Sequence, residues 1–78
     1  MTETFDRITI DPQKMSGQPC IRGMRLTVRR VLEALSAAGS RDELRADYPE
    51  VEDEDIRQAI AYAAAMLGDE TVELKTAS

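Results

Sequence analysis

The basic side chains of this sequence are concentrated in one short stretch near its N-terminal end. From Gln13 to Arg30 the chain carries five basic residues and no acidic one. Four of the five are arginines, whose planar guanidinium groups can hold a phosphate or a carboxylate through two parallel hydrogen bonds. The stretch is therefore a candidate surface for a polyanion or for an acidic protein. The candidate binding residues are Lys14, Arg22, Arg25, Arg29 and Arg30.

The rest of the sequence carries the opposite charge. Residues 1–30 hold six basic and three acidic residues, whereas residues 31–78 hold four and twelve, and the formal net charge is -5. Such asymmetry indicates either an anionic partner or two halves that complement each other within a dimer. The predominance of arginine favours the partner. For Arg25 a structural role also stays open, in an ion pair with Asp11 or Asp47.

The sequence offers little for catalysis or for metal binding. It has no histidine, no glycine-rich phosphate loop and a single cysteine, Cys20. A zinc site needs a set of Cys or His ligands, and a nucleophilic cysteine needs a neighbouring base. We therefore expect Cys20 to be a small buried or half-buried thiol. We also expect no enzymatic activity, no cofactor and no metal site.

The length and hydropathy of the chain bear on its location and its stability. No apolar stretch approaches the ~20 residues that cross a bilayer, and the N-terminal residues lack a signal-peptide pattern, which predicts a cytoplasmic protein with no membrane partner. A chain this short buries only about 60% of its unfolded surface. With one cysteine, no internal disulfide can compensate. We therefore expect a homodimer, built partly through residues 6–28.

The elements that must position the basic residues are predicted to be a small β element and three helices, which is a mainly α fold. A strand is expected near residues 6–10, followed by two extended pieces on either side of Gly23. Glycine adopts the positive φ that a tight turn between strands requires. The predicted ranges are 6–28 for the β element and 28–38, 41–47 and 53–67 for the helices, within one domain over 1–68 that is followed by a mobile tail over 69–78.

Capping residues and apolar spacing support each helix. Thr27 is a candidate N-cap and Gly39 a C-terminal glycine for the first helix, and Ser40 with Glu43 forms a capping box for the second. The acidic residues that open the third helix suit the positive end of its dipole, and we expect them to be solvated. The predicted buried stripes are Val28, Val31, Leu32, Leu35 and Ala38 in the first helix, and Ile56, Ala59, Ile60, Ala63 and Leu67 in the third.

The segment "ITIDPQKMSGQPCIRGMRLTVRRVLEALSAAGSRDELRADYPEVEDEDIRQAIAYAA", residues 8–64, resembles the bacterial family "domain of unknown function 433". The block "GQPCIRGMRLTV" is the most specific part of the resemblance. The residues at matching positions are Asp11, Pro12, Gly17, Pro19, Ile21, Gly23, Arg25, Val28, Gly39, Tyr48, Pro49, Asp55, Ala59 and Tyr62.

The resemblance implies a homeodomain-like fold, in which the second and third helices form a helix-turn-helix, and a dimer. It also implies an antitoxin of the VapB kind, which binds a PIN-like ribonuclease toxin and its own operator DNA. In this sequence the first turn of the third helix is Asp53-Glu54-Asp55, and carboxylates facing phosphates oppose DNA binding. We therefore expect the basic stretch, not the third helix, to contact DNA or an acidic toxin site. The alternative function is a protein-interaction adaptor that uses its acidic helical face and binds no DNA.

Overall fold

The computed structural model describes residues 5–68 of the chain. Two short strands, β1 (Ile8–Thr9) and β2 (Cys20–Ile21), pair antiparallel, with Ile8 opposite Ile21. Three helices follow them, which confirms the predicted fold class: mainly helical, with a small N-terminal β element. The predicted tail over 69–78 lies outside the described residues.

The segment between the strands contains a turn that the sequence did not reveal. Met15–Gly17 form one turn of 3-10 helix, and all three residues have positive φ, between 51° and 77°. The side chain of Lys14, just before this turn, donates a hydrogen bond to the carbonyl oxygen of Gly23. The turn is thereby tied to the hairpin that follows β2.

The hairpin around Gly23 forms as predicted. The Met24 N–H donates to the Ile21 carbonyl oxygen at 2.8 Å, and the two residues between them, Arg22 and Gly23, have φ of +46° and +73°. Positive φ at both central positions is the pattern of a type I′ hairpin turn. Beyond the turn the chain returns beside β2, where Thr27 forms a bridge with Cys20.

The three helices occupy the predicted ranges: α1 is Val28–Ala38, α2 is Arg41–Asp47 and α3 is Asp53–Leu67. The hydroxyl of Thr27 accepts from the Arg30 N–H at 3.0 Å, and that of Ser40 accepts from the Glu43 N–H at 3.2 Å. Gly39 ends α1 with φ of +82°, a left-handed conformation that glycine adopts without strain. Local capping thus sets where these helices begin and end. None of the helices in the described residues is long and apolar enough to cross a membrane.

The hydrophobic core lies where α1 packs against α2 and α3, and Ile21 and Leu26 of the hairpin belong to it. Cys20 is buried among these residues and is a free thiol, as predicted. Valine and isoleucine side chains from the strand, the helices and the α2–α3 connection meet in this core. Its fully buried members include Ile21, Val31, Leu44, Val51 and Ile56.

The stripe predicted along α3 is wrong in its C-terminal half. Ile60 is 42% exposed and Leu67 is 58% exposed, although both were expected to be buried. Helical spacing identifies a face of the helix, but it does not say how far a neighbour extends along that face. Within the described residues the core ends near Ala59, and the last two turns of α3 keep apolar side chains at the surface.

Candidate functional site

A buried carboxylate lies at the junction between the β element and α3. Asp55, in the first turn of α3, is completely buried. Its two oxygens accept from the Arg22 guanidinium, with Nε–Oδ1 at 3.1 Å and Nη2–Oδ2 at 2.9 Å, and from Arg7 Nη1 at 3.2 Å. The Glu52 N–H donates to Oδ2 at 2.9 Å, which satisfies a free amide at the start of the helix. The carboxylate is thus buried and fully paired, while the side chains of Arg7 and Arg22 stay 29% and 37% exposed.

Arg22 connects three parts of the molecule through this contact. Its backbone lies in the hairpin turn, its guanidinium group contacts Asp55 in α3, and its Nη2 also donates to the Glu50 carbonyl oxygen at 2.7 Å. Glu50 belongs to the connection between α2 and α3. A positive φ is uncommon and strained for a residue other than glycine. Arg22 adopts this conformation in the turn, and its side chain is held there by the ion pair with Asp55.

The N-terminal segment is held to the same place by a second set of polar contacts. Arg7 Nη1 pairs with Glu52 Oε1, and the Arg7 N–H donates to Gln58 Oε1 at 3.0 Å. The buried side chain of Gln58 in turn donates to Asp6 at 2.6 Å and to Glu54 at 2.8 Å. Among the described residues no buried side-chain nitrogen or oxygen lacks a partner. We refer to Arg7, Arg22, Glu52, Asp55 and Gln58 as the Asp55 cluster.

The ionisation of the Asp55 cluster is stabilised by these contacts. Burial raises the pKa of Asp55, but the hydrogen bonds from Arg22, the Glu52 N–H and Arg7 outweigh it, and the pKa lies below its ordinary value. The pKa of Arg7 is raised by Glu52 and Asp55, and that of Arg22 is raised by Asp55. The cluster is therefore charged at neutral pH, with each arginine committed to a carboxylate.

The prediction that the acidic first turn of α3 is solvated is wrong for Asp55, whereas Asp53 and Glu54 keep solvent contact with side chains 60% and 40% exposed. Asp55 is buried, Asp53 pairs with Arg45 at 3.1 Å, and Glu54 pairs with Arg57 at 2.7 Å. The Arg57 hydrogen bond, followed by that of Gln58, lowers the pKa of Glu54 to about 2. Three carboxylates facing an approaching phosphate would repel it, but each of these already has a cation beside it.

Three of the five predicted binding residues donate side-chain hydrogen bonds within the chain. Arg22 belongs to the Asp55 cluster, and Lys14 donates to the backbone of Gly23. The Arg30 Nε donates to the Tyr48 hydroxyl at 2.9 Å, across the space between α1 and the end of α2, and this contact raises the pKa of Arg30. These side chains help to hold the fold, whether or not they also meet a ligand.

The other two predicted binding residues, Arg25 and Arg29, are open to solvent. The Arg29 side chain is 80% exposed, and its ion pair with Glu33 is long at 3.7 Å. Arg25 is exposed and makes no ion pair within residues 5–68, so the expected pairing with Asp11 or Asp47 does not form there. We call Arg25 and Arg29 the open arginine pair. They are four residues apart, just before α1 and in its first turn.

The comparison with protein-family models matches residues 8–63 to the family described as protein of unknown function (DUF433). The chain belongs to this family. The matched range includes the whole basic stretch and every member of the Asp55 cluster except Arg7. Searches of curated proteins and of solved structures return no significant match.

For this DUF433 protein, reasoning from the sequence found the basic stretch but missed its division into two groups. Neither Arg7 nor Gln58 was singled out, because their partners are 48 and 52 residues away along the chain. One signal was available for Asp55: it stands three residues after an N-cap, where a carboxylate can accept from the N-cap amide. Within the described residues no group of three or more Cys, Asp or Glu is arranged to hold a metal ion.

Proposed function

We propose that this DUF433 protein is the antitoxin of a toxin–antitoxin pair, that it binds a PIN-like ribonuclease toxin, and that it binds its own operator DNA. The observation that carries the proposal is the open arginine pair. Arg25 and Arg29 are exposed beside the N-terminus of α1, and neither is committed to a close ion pair within the described residues. Guanidinium groups in this state bind phosphate oxygens without breaking contacts that hold the fold.

The electrostatics of α3 support the DNA part of the proposal. The carboxylates of its first turn are paired with Arg45, Arg57 and the Asp55 cluster, so the repulsion of phosphates is weaker than the sequence suggests. The helices α2 and α3 are joined by a short connection, as in helix-turn-helix proteins. The open arginine pair would then contact the DNA backbone next to that unit.

The toxin part of the proposal uses the same chemistry. A PIN-like ribonuclease holds its metal ions with a cluster of carboxylates, and an arginine can form bidentate contacts with carboxylates as readily as with phosphates. The open arginine pair would enter that acidic site and neutralise it. We expect the DNA contact to be the main role of the pair and the toxin contact to be the second.

The experiment combines a gel-shift series on the promoter DNA with a toxin-rescue assay. If the open arginine pair contacts DNA phosphates, Arg25→Ala and Arg29→Ala each weaken promoter binding and each reduce the slope of log K against log salt by about 0.9. If the pair serves the toxin, the same variants bind the promoter normally and fail to neutralise the nuclease. Arg41→Ala is the matched control, since Arg41 is a half-exposed arginine outside the basic stretch.

The proposal fails if Arg25→Ala and Arg29→Ala behave like Arg41→Ala in both assays. A supporting result in either assay also identifies which partner the arginines meet. Because all three variants alter exposed side chains, circular dichroism should show unchanged helix content for each. A loss of binding can then be assigned to the contact and not to unfolding.

A second candidate function is an adaptor that docks a protein through its acidic face. The observation that favours it is a group of exposed carboxylates on and after α2 that make no ion pair within the described residues: Glu43, Asp47 and Glu50. A basic partner would meet them directly. Under this alternative, Glu43→Lys abolishes partner binding and promoter DNA is not bound at all.

A further inference from the structure

An apolar groove of about 750 Å³ lies between α1 and α3. It is lined by Leu32 of α1, by Ala63, Met66 and Leu67 of α3, and by Pro19 and Val28. Arg29 and Glu33 stand at its rim, one helical turn apart on α1. We call this surface the α1–α3 groove.

The α1–α3 groove continues into the exposed apolar part of α3. Met66 is 52% exposed and Leu67 is 58% exposed, and Ile60 lies two turns before Leu67 on the same helix. Adjacent apolar side chains at the surface mark an interaction site more often than isolated ones do. A domain of this size also has a small core, and burying further apolar surface in an oligomer is one of the few ways to stabilise it.

We infer that a second copy of this chain occupies the α1–α3 groove, in a two-fold dimer in which the two α1 helices run antiparallel. In an isologous interface, if one residue contacts a second residue of the partner subunit, that second residue makes the same contact in the other direction. Arg29 of one protomer would then face Glu33 of the partner subunit, and Glu33 would face the partner's Arg29. One pair of side chains on the rim thus provides charge complementarity at both ends of the interface.

The state of these two side chains in the single chain supports this assignment. Arg29 and Glu33 are 80% and 56% exposed and lie 3.7 Å apart, so the ion pair within α1 is weak and either member can turn to a partner. A site for a small molecule would hold several convergent polar groups. The α1–α3 groove has one cation and one anion at its edge, which suits a second helix face with the same two charges.

This interface differs from the one expected through residues 6–28. The strands β1 and β2 are two residues long each, which gives few free backbone groups for pairing with another chain. Among the described residues of this segment, the exposed large apolar side chains are Ile10, at 62%, and Met15, at 38%. The larger continuous apolar surface is on the helices. The dimer can form without the proposed antitoxin role, but it engages Arg29 at its rim, so in the dimer Arg25 is the member of the open arginine pair that stays available to DNA or to the toxin.

Sedimentation at micromolar concentration tests the inference with matched variants. We expect a dimer that Leu67→Glu dissociates, because a carboxylate replaces an apolar side chain inside the interface. Ile10→Glu makes the same change at an equally exposed position near β1 and should leave the dimer intact. Both side chains are exposed in the single chain, so neither change should unfold it, and circular dichroism verifies this.

A charge exchange on the rim identifies the occupant. Arg29→Glu and Glu33→Arg each place like charges opposite one another and should weaken the dimer by about tenfold or more. The double variant restores opposite charges across a self-complementary interface, and it should recover dimerisation. A different protein in the groove would not restore binding to the double variant. A monomeric wild type, a dimer insensitive to Leu67→Glu, or a dimer that only Ile10→Glu dissociates would each overturn the inference.

Discussion

Arg22 and Arg25 are three residues apart, and the structure gives them different surroundings. Arg22 reaches across to α3, where it contacts the buried carboxylate of Asp55. Arg25 stands in solvent, without an ion-pair partner in residues 5–68. The comparison of the Asp55 cluster with the open arginine pair shows that a basic stretch has no single function. What separates Arg22 from Arg25 is that the fold supplies a carboxylate partner to the first and, within the described residues, none to the second.

The two groups differ in what it costs to release an arginine to a ligand. Burial of an unpaired carboxylate costs several kcal/mol, and removal of its partner leaves that penalty uncompensated. Arg22 therefore cannot bind a phosphate without leaving Asp55 poorly paired. The open arginine pair carries no such penalty, so its members can bind and release a partner while the fold stays unchanged.

The largest effect is expected from removing the carboxylate at the centre of the cluster. Asp55→Ala leaves Arg7 and Arg22 without their buried partner and the Glu52 amide without its acceptor. We expect the free energy of unfolding to fall by about 3 kcal/mol, at the low end for buried ion pairs because both arginine side chains remain partly hydrated. Denaturant unfolding followed by circular dichroism measures this change.

Asp53→Ala is the matched control for that experiment. Asp53 lies two residues earlier in the same helical turn, and its side chain is 60% exposed in its pair with Arg45. Exposed ion pairs contribute about 0–1 kcal/mol, so this variant should unfold close to the wild type. Equal effects of the two substitutions would show that the Asp55 cluster is no more important for the fold than a surface ion pair.

The second prediction concerns acid. The folded-state pKa of Asp55 is lowered, so its contribution to stability is complete above the unfolded-state pKa of about 3.9 and is lost as the pH falls through the folded-state pKa. Glu54, with a pKa of about 2, acts in the same direction. We expect stability to decline below about pH 4. Asp55→Asn should make that decline shallower, as measured by thermal unfolding at a series of pH values.

The third prediction concerns the turn that positions Arg22. Gly23 has φ of +73°, and a Cβ there would meet no atom within 4 Å, so Gly23→Ala introduces conformational strain without a clash. We expect a loss of about 1–2 kcal/mol. Gly68→Ala is the control, because Gly68 has ordinary helical φ and alanine should be tolerated there. An unchanged melting temperature for Gly23→Ala would contradict the observed turn.

The local parts of this fold could be predicted from the sequence, and the long-range parts could not. Thr27, Gly39 and Ser40 act on residues within four positions of themselves, so their types alone set the helix ends. Asp55 looked like an ordinary acidic residue at a helix start. Its burial depends on Arg7 and Arg22, which come from a separate part of the chain and which composition assigned to a binding surface.

The prediction of a buried stripe at the C-terminal end of α3 failed for a related reason. Ile60 and Leu67 have the spacing of a buried stripe, and spacing alone cannot show whether a neighbour of the same chain or a second molecule covers it. All four arginines of the basic stretch were identified by residue type. The structure then shows that Arg22 and Arg30 are held by contacts within the chain, which leaves Arg25 and Arg29 as the open pair. Sequence reasoning identified the basic residues by their type, and the fold decides which of them are held by contacts within the chain.

The smallest effect on stability is expected from the open arginine pair, and it tests the comparison most directly. Arg25→Ala and Arg29→Ala remove no close ion pair within the described residues, so each should change the free energy of unfolding by no more than about 0.5 kcal/mol. Arg22→Ala should lower the free energy of unfolding clearly, because it leaves the buried Asp55 carboxylate without two of its hydrogen-bond donors. Thermal unfolding of the three variants at neutral pH measures the difference. If Arg25→Ala destabilises the chain as much as Arg22→Ala does, Arg25 also holds the fold together, and the division between the two groups is wrong. If only Arg22→Ala does so, a loss of DNA or toxin binding by Arg25→Ala reflects the contact itself, and for Arg29→Ala sedimentation shows whether the dimer is lost as well.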